Sequence, residues 1–336
     1  MEKKVKYIPE KLNLANLPTP IIHCEEFSRK LGIQIDIKQD DMTGCLTSGN
    51  KIRKLEFLLA DAKKQNATIV LTCGGFQSNH SRATAVAARQ VGLKSLLFLR
   101  VTEHEKKVLA GNFLIDKLVG AQFEFITAEQ YQNRSKLMKK KAEELKKIGE
   151  NPYIIPEGGT NLIGIWGYIH MFNELVEQHK EFPYTHIYCA VGTIGTMTGL
   201  LIGRDLLDLN HVKIIGVPVC GKISHFTSKM NRLVEEFNQE FGTDLKPQNY
   251  ELLDGYIGPG YSVPYKEEID VIKDLAQSDG VILDTCYTGK TFYALVDQIK
   301  KNQFNSEKDK ILFILTGGLF SLFTENIIEQ FGLELN

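Results

Sequence analysis

The sequence predicts an α/β protein of two doubly wound domains with mainly parallel sheets. Three observations carry that expectation. Short apolar runs such as Ile69-Val-Leu-Thr72 and Ile311-Leu-Phe-Ile-Leu315 are continuous rather than alternating, which suits strands covered on both faces. They alternate along the chain with helix-length segments, the order that produces a parallel sheet. Turns rich in glycine and hydroxyl side chains follow several of the runs, at the carboxyl ends of strands where open α/β sheets bind ligands.

Residues 1–50 are irregular, with Pro18-Thr-Pro20 ahead of Ile21-Ile22. Ile33-Gln-Ile-Asp-Ile-Lys38 alternates apolar and polar residues and predicts an outer strand with one wet face. From Lys51 the residues Ile52, Leu55, Leu58, Leu59 and Ala62 recur at helical spacing. Strands are predicted at 69–72, 96–99, 123–126 and 153–155, with helices over 81–91, 112–119 and 129–148. The last helix is rich in Lys and Glu and reads as a solvated face. A long helix over 162–179 leads to strands at 187–191, 213–219, 280–283 and 311–315. Helices over 198–207, 222–241, 264–278, 290–301 and 319–330 fill the intervals. No low-complexity linker or internal repeat divides the chain.

At 336 residues the chain is long enough for two domains. With 43% hydrophobic and 24% charged residues, its composition excludes a largely disordered protein. A formal net charge of −1 argues against a nucleic-acid partner. Met1-Glu-Lys-Lys-Val-Lys6 opens no signal-peptide core, and no segment approaches the roughly 20 apolar residues that span a bilayer. A cytoplasmic protein without a membrane partner is expected. The six cysteines are widely spaced, with no Cys-x-x-Cys pair, and read as reduced, mostly buried thiols; no metal site is expected.

The turns carry the chemistry. Lys51 follows Thr47-Ser-Gly-Asn50 and stands at a helix N-terminus, where the dipole disfavours a cation and favours a neutral amine or one consumed in a Schiff base. A solvated first-turn lysine is the plain alternative. Gly74-Gly-Phe-Gln-Ser-Asn-His80 puts Ser78, Asn79 and His80 around another helix N-terminus, either to collect an anion or simply to cap the helix. Gly192-Thr-Ile-Gly-Thr-Met-Thr-Gly199 offers close backbone approach and a helix dipole to a phosphate monoester; it lacks the spacing of a dinucleotide site. Gly289-Lys-Thr291 is not the end of a P-loop, because Asp284 stands where the first glycine belongs. Thr316-Gly-Gly318 offers a neutral hydroxyl for a ring nitrogen or caps the last helix. Tyr256-Ile-Gly-Pro-Gly-Tyr261 and Tyr287-Thr288 put phenols in loops, for packing or for acid/base work.

In combination these turns resemble the pyridoxal-phosphate enzymes of the tryptophan-synthase β-like fold (fold type II), and within them the 1-aminocyclopropane-1-carboxylate deaminase and D-cysteine desulfhydrase family. The residues that carry the resemblance are Ser48-Gly-Asn-Lys-Ile-Arg-Lys-Leu-Glu56, Gly75-Phe-Gln-Ser-Asn-His80, Pro156-Glu-Gly-Gly-Thr-Asn161 with Gly164 and Gly167-Tyr168, Gly192 to Gly199, Tyr287-Thr-Gly-Lys290 and Thr316-Gly-Gly318, all in the family's order. The resemblance implies a larger cofactor-binding domain of residues 1–50 plus 166–336, and a smaller one of 51–165 with the lysine and the substrate carboxylate loop. It implies that Lys51 holds the aldehyde of pyridoxal 5'-phosphate. Asn50, Asn79, Gly192, Thr193, Ile194, Gly195, Thr196, Tyr287 and Thr316 would bind the cofactor. Ser78, Asn79, His80, Gly159 and Thr160 would meet the substrate, with Ser78, Tyr261 and Tyr287 joining Lys51 in catalysis. A homodimer acting on a small amino acid is expected.

Between the family's activities, the deaminase is expected to carry Glu at the position of Thr288 and usually Gln at that of His80. With a neutral Thr288 and only the hydroxyl of Thr316, the ring nitrogen is expected to stay largely unprotonated. That favours α,β-elimination of D-cysteine to pyruvate, ammonia and hydrogen sulfide over opening a cyclopropane. The alternatives are the deaminase, a lyase on another β-substituted alanine such as cysteate, and a non-catalytic carrier of the cofactor. Ser48 departs from the glycine common in the family and adds a hydroxyl near Lys51.

Overall fold

A computed structural model describes residues 4–101 and 108–332. In chain order its elements are β1 (Ile21–His23), α1 (Glu25–Leu31), β2 (Gln34–Gln39), α2 (Asn50–Lys64), β3 (Ile69–Gly75), α3 (Asn79–Gln90), β4 (Lys94–Arg100), α4 (Gly111–Leu118), β5 (Gln122–Ile126), α5 (Ala128–Gln132), α6 (Arg134–Lys146) and β6 (Pro152–Ile154). There follow α7 (Trp166–Glu177), β7 (His186–Val191), α8 (Gly195–Leu206), β8 (Lys213–Pro218), α9 (Ile223–Phe241), β9 (Tyr250–Leu252), α10 (Lys266–Asp279), α11 (Thr288–Lys300), β10 (Lys310–Leu315) and α12 (Glu325–Phe331).

A six-stranded sheet runs β1-β2-β10-β7-β8-β9, and a four-stranded sheet runs β5-β4-β3-β6. Every pairing is parallel except β1 on β2. The period-two geometry of a strand sends successive residues to opposite faces. Accordingly Ile311, Phe313 and Leu315 join one buried cluster with α1, α10 and α11, while Leu312 and Ile314 join another with α7, α8 and α9. In the smaller sheet Val70 packs toward α2 and α3, and Ile69, Leu71 and Cys73 pack toward α6. Both faces of both sheets are therefore covered, as continuous apolar runs require.

Four expectations need correction. The strand around Ile33 to Lys38 is not an outer one: β2 lies between β1 and β10, with its interior residues buried. Its polar residues point at partners instead of water. Asp36 accepts from Tyr184 Oη at 2.9 Å, and Lys38 Nζ donates to Glu174 Oε1 at 2.6 Å. Residues 280–283 form no strand; Gly280 ends α10 in the left-handed region, and β9 takes the sheet edge beside β8. The helix expected over 129–148 breaks at Asn133 into α5 and α6. The last expected helix is a 3₁₀ turn at Leu319–Leu322 followed by α12.

A buried ionic cluster lies beneath α2. Arg53 donates to Asp40 at 3.0 and 2.8 Å and to Glu174 at 2.8 and 2.9 Å. Lys38 completes it through Glu174, and Tyr168 Oη donates to Asp40 at 2.6 Å. α7 crosses α2 so closely that a Cβ on Gly167 would sit 2.5 Å from the carbonyl of Arg53. The helix that begins at Lys51 is thus fixed by backbone contact on one side and by charge pairs on the other. Among the described residues no helix is long and apolar enough to cross a membrane, and no group of His, Cys, Asp and Glu has a metal-ligand arrangement.

Candidate active site

The carboxyl ends of β3, β4, β7 and β10 converge on one cleft, where residues from both sheets meet. Its inner part is lined by Asn50, Lys51, Asn79, Gly192, Thr193, Ile194, Thr196, Tyr287, Thr316 and Gly317, together with Ala190. It opens into a cavity of about 600 Å³ whose walls include Ser78, Asn79, Arg100, Tyr261, Cys286 and Tyr287.

Gly49 sets the start of α2. Its φ of 109° and ψ of 174° suit glycine, and a Cβ there would lie 2.8 Å from the carbonyl oxygen of Thr316. Asn50 N–H donates to that same oxygen at 3.0 Å, so the lysine turn is bolted to the end of β10. Lys51 is half-buried and its Nζ has no hydrogen-bond partner among the described residues. Burial pulls its pKa down to about 8, against the smaller upward pull of Glu157, Cys286 and Asp284. An amine near neutrality with a free lone pair is a nucleophile and a base. The hydroxyl of Ser48 donates to Asp41 O at 2.7 Å and so is not free for the site.

The turn from Gly192 to Thr196 leads from β7 into α8, with Ile194 in the left-handed region at φ 66°. The N–H groups of Thr193 to Met197 find no acceptor among the described residues. Asn50 Nδ2 donates to Thr196 Oγ1 at 3.1 Å, and Thr160 and Thr193 hydroxyls meet at 2.8 Å. Lys54, one turn beyond Lys51, is 1% exposed, and among the described residues its ammonium has a single partner, Gly158 O at 3.3 Å. Burial first, and then the charge of Lys51, push its pKa well below that of an ordinary lysine. A buried amine with no acid beside it, held on Gly158, whose α-carbon packs against Thr193 at the turn of unpaired N–H groups, is an environment an anion would complete. The donor set fits a phosphate monoester, and the amine of Lys51 fits an aldehyde. Lys54 is a candidate that sequence reasoning does not single out; its position three residues after Lys51 on one helix face is the available signal.

Ser78 does cap α3, accepting from Ser81 N–H at 3.1 Å, yet it also lines the cavity with its own hydroxyl hydrogen free to donate. Asn79 Oδ1 accepts from Asn112 Nδ2 at 2.9 Å, which leaves its amide N–H groups for the cleft. Tyr261 and Tyr287 hydroxyls meet at 2.5 Å. Burial raises both pKa values well above the ordinary phenol, so both keep their protons. Thr316 faces the inner cleft, whereas Thr288 turns its hydroxyl to Asp284 Oδ1 at 2.6 Å and lines neither space. Among the described residues no acidic side chain lines the inner cleft.

Three expected substrate contacts are not brought to the cleft. His80 is buried behind α3 with Nε2 against Thr72 Oγ1 at 2.8 Å, because the second residue of that helix points back onto β3. Gly159 packs on Lys54 and Leu58, and Thr160 braces the turn at Thr193. Gly195 packs on Thr160 within the same turn.

The chain is similar to known proteins along most of its length. The pattern of the family described as "Pyridoxal-phosphate dependent enzyme" matches residues 12–317. A putative 1-aminocyclopropane-1-carboxylate deaminase of Thermotoga maritima is 41% identical over 94% of this chain and 98% of its own. The mitochondrial bifunctional D-cysteine desulfhydrase/1-aminocyclopropane-1-carboxylate deaminase of Arabidopsis thaliana is 39% identical over 93% of this chain and 79% of its own. The crystal structure of an ACC deaminase homologue superposes with a TM-score of 0.87 at 35% identity, covering 96% of this chain and 95% of that one. The chain belongs to the pyridoxal-phosphate dependent enzymes, in the 1-aminocyclopropane-1-carboxylate deaminase/D-cysteine desulfhydrase family.

Proposed function

We propose that the protein catalyses the α,β-elimination of D-cysteine, consuming water and yielding pyruvate, ammonia and hydrogen sulfide. The observation that carries the choice of substrate is that, among the described residues, no carboxylate lines the inner cleft, where Thr316 offers only a hydroxyl and Thr288 is turned away. A pyridine nitrogen received by such a hydroxyl would stay largely unprotonated. That is a weak electron sink, sufficient when sulfide leaves from Cβ and poorly suited to breaking a carbon–carbon bond of a cyclopropane.

Pyridoxal phosphate, when bound, supplies an aldehyde for the amino group and a conjugated ring that spreads negative charge from Cα. In this reading Lys51 Nζ holds that aldehyde, then takes the Cα proton, as an amine with a pKa of about 8 does near neutral pH. Lys54 and the Thr193 to Met197 N–H groups would hold the phosphate, and Asn79 and Asn50 would orient the ring. Ser78 and the N-terminus of α3 receive the substrate carboxylate. Tyr287 covers the ring, and the Tyr261–Tyr287 pair, which burial keeps protonated, donates to the departing sulfur. The division into 1–50 plus 166–336 and 51–165 belongs to the same reading, supported by β3 to β6 forming one sheet and all other strands the second. So does a homodimeric assembly.

The deaminase is the second reading, favoured by the names of the relatives. Sulfide and pyruvate release from D-cysteine, measured beside α-ketobutyrate release from 1-aminocyclopropane-1-carboxylate, decides between them. Turnover of D-cysteine alone is expected; equal rates on both would overturn the choice. D-cysteate and 3-chloro-D-alanine in the same assay define the range of leaving groups.

A further inference from the structure

The loop between β9 and α10 carries Tyr261, and a cation with no role in the chemistry above holds that loop. Lys290, in the first turn of α11, is 0% exposed. Its ammonium donates to the carbonyls of Ile257 at 2.6 Å, Gly260 at 2.7 Å and Val263 at 3.1 Å. An ammonium has three hydrogens, and all are used. The acceptors precede and follow Tyr261 in sequence, so one side chain gathers both arms of the loop. The loop's own backbone bonding is slight: Val263 N–H reaches Gly260 O at 3.2 Å, and Ser262 sits at φ 61°.

One buried acid that acts on Lys290 is unusual. Glu268 on α10 is also 0% exposed, and neither of its carboxyl oxygens has a hydrogen-bond partner among the described residues. It makes no ion-pair contact with Lys290, and burial pushes its pKa up to about 8, so it favours the protonated form while the ammonium's hydrogens go to carbonyls. The other phenol is held independently. Asp284 accepts from the N–H groups of Cys286 and Tyr287, both at 3.1 Å, and of Thr288 at 2.7 Å, fixing the turn that presents Tyr287. Each phenol thus has its own buried charged anchor, and the hydroxyls meet between them at 2.5 Å.

We propose that Lys290 is a positioning residue for the elimination: its ammonium fills the carbonyl cage of the 257–263 loop and thereby sets the hydroxyl of Tyr261 against that of Tyr287. The inference rests on the reading of those phenols as the proton donors. The test uses the cofactor-loaded enzyme and compares Lys290→Met, Tyr261→Phe and the double variant. Lys290→Met should keep the visible absorption of bound cofactor and a KM for D-cysteine close to wild type. Its kcat should fall on the order of 10²-fold, the effect of an ångström of misplacement at a reacting group. In the Tyr261→Phe background the same change should add nothing, because the group it positions is gone. A wild-type kcat in Lys290→Met, or losses that multiply in the double variant, overturns the proposal. Wild-type turnover in Tyr261→Phe removes the phenol reading and this inference with it; a loss there beside normal Lys290→Met removes the inference alone. If Lys290→Met does not fold, Lys290→Met with Glu268→Gln removes the buried ammonium and the buried carboxyl together and is read by the same criteria.

Discussion

Replacing Lys54 by methionine separates two effects of opposite sign. The ammonium is 1% exposed and, among the described residues, bonded only to Gly158 O at 3.3 Å, with no carboxylate in ion-pair contact. Without cofactor burial pushes its pKa well down and leaves a buried amine with little hydrogen bonding, so exchanging it for an apolar group of similar volume should stabilise the apoprotein. In the proposed function the same amine would face the phosphate dianion as an ammonium, and a hydrogen bond to a charged group contributes about 1.5–3 kcal/mol. At 1.4 kcal/mol per decade that is about 10–100-fold in affinity. The expected result is an apoprotein more resistant to urea and a pyridoxal-phosphate dissociation constant raised by that factor. Pyridoxal, which lacks the phosphate, should bind wild type and variant alike. Unchanged cofactor affinity, or an apoprotein weakened by the substitution, would refute the assignment of Lys54.

The amine of Lys51, with its pKa lowered to about 8, is neutral above that pH and charged below it. Aldehyde capture by the apoprotein should therefore accelerate as pH rises through about 8, where an ordinary lysine would inflect near 10.5; stopped-flow mixing with pyridoxal phosphate measures it. For Glu174, burial alone would raise the pKa, but hydrogen bonds and charge from Arg53 and Lys38 outweigh it and hold the carboxyl at about 2 against a usual 4.5. A depressed carboxylate stabilises the fold above its unfolded pKa and loses that contribution as pH falls from about 4.5 to 2, on the order of 3 kcal/mol. Urea midpoints across that window should drop in wild type and flatten in Glu174→Gln. Gly49→Ala should lose about 1–3 kcal/mol and most activity, since its backbone region is nearly closed to other residues and its Cβ meets Thr316 O at 2.8 Å. A thermal scan with wild-type midpoint would contradict this.

Much of the site is legible in the sequence because it lies in turns. A strand's apolar run, a glycine and a hydroxyl cluster are local along the chain, and so Ser78, Asn79 and the Gly192 to Thr196 turn can be picked out from residue order and spacing. What is illegible depends on neighbours distant in the chain. The alternation of β2 looks like a wet face because Asp36 and Lys38 are polar, and only Tyr184 and Glu174 reveal that they are buried. Val281 and Leu283 look like strand residues because they are buried, but they pack without pairing once β9 takes the edge. His80 lies one residue beyond Asn79, which lines the cleft, yet helix geometry turns it inward. Lys54 and Lys290 resemble surface lysines, since nothing local states that Gly158 or the 257–263 carbonyls will enclose them.

The charges beneath α2 sum to zero: Lys38 and Arg53 against Asp40 and Glu174. Neutralising any one of them leaves an odd ion sealed from water, a far worse state than losing opposite members together. Drift at these positions should accordingly proceed by matched exchanges, so that descendants of this chain keep all four or surrender them two at a time.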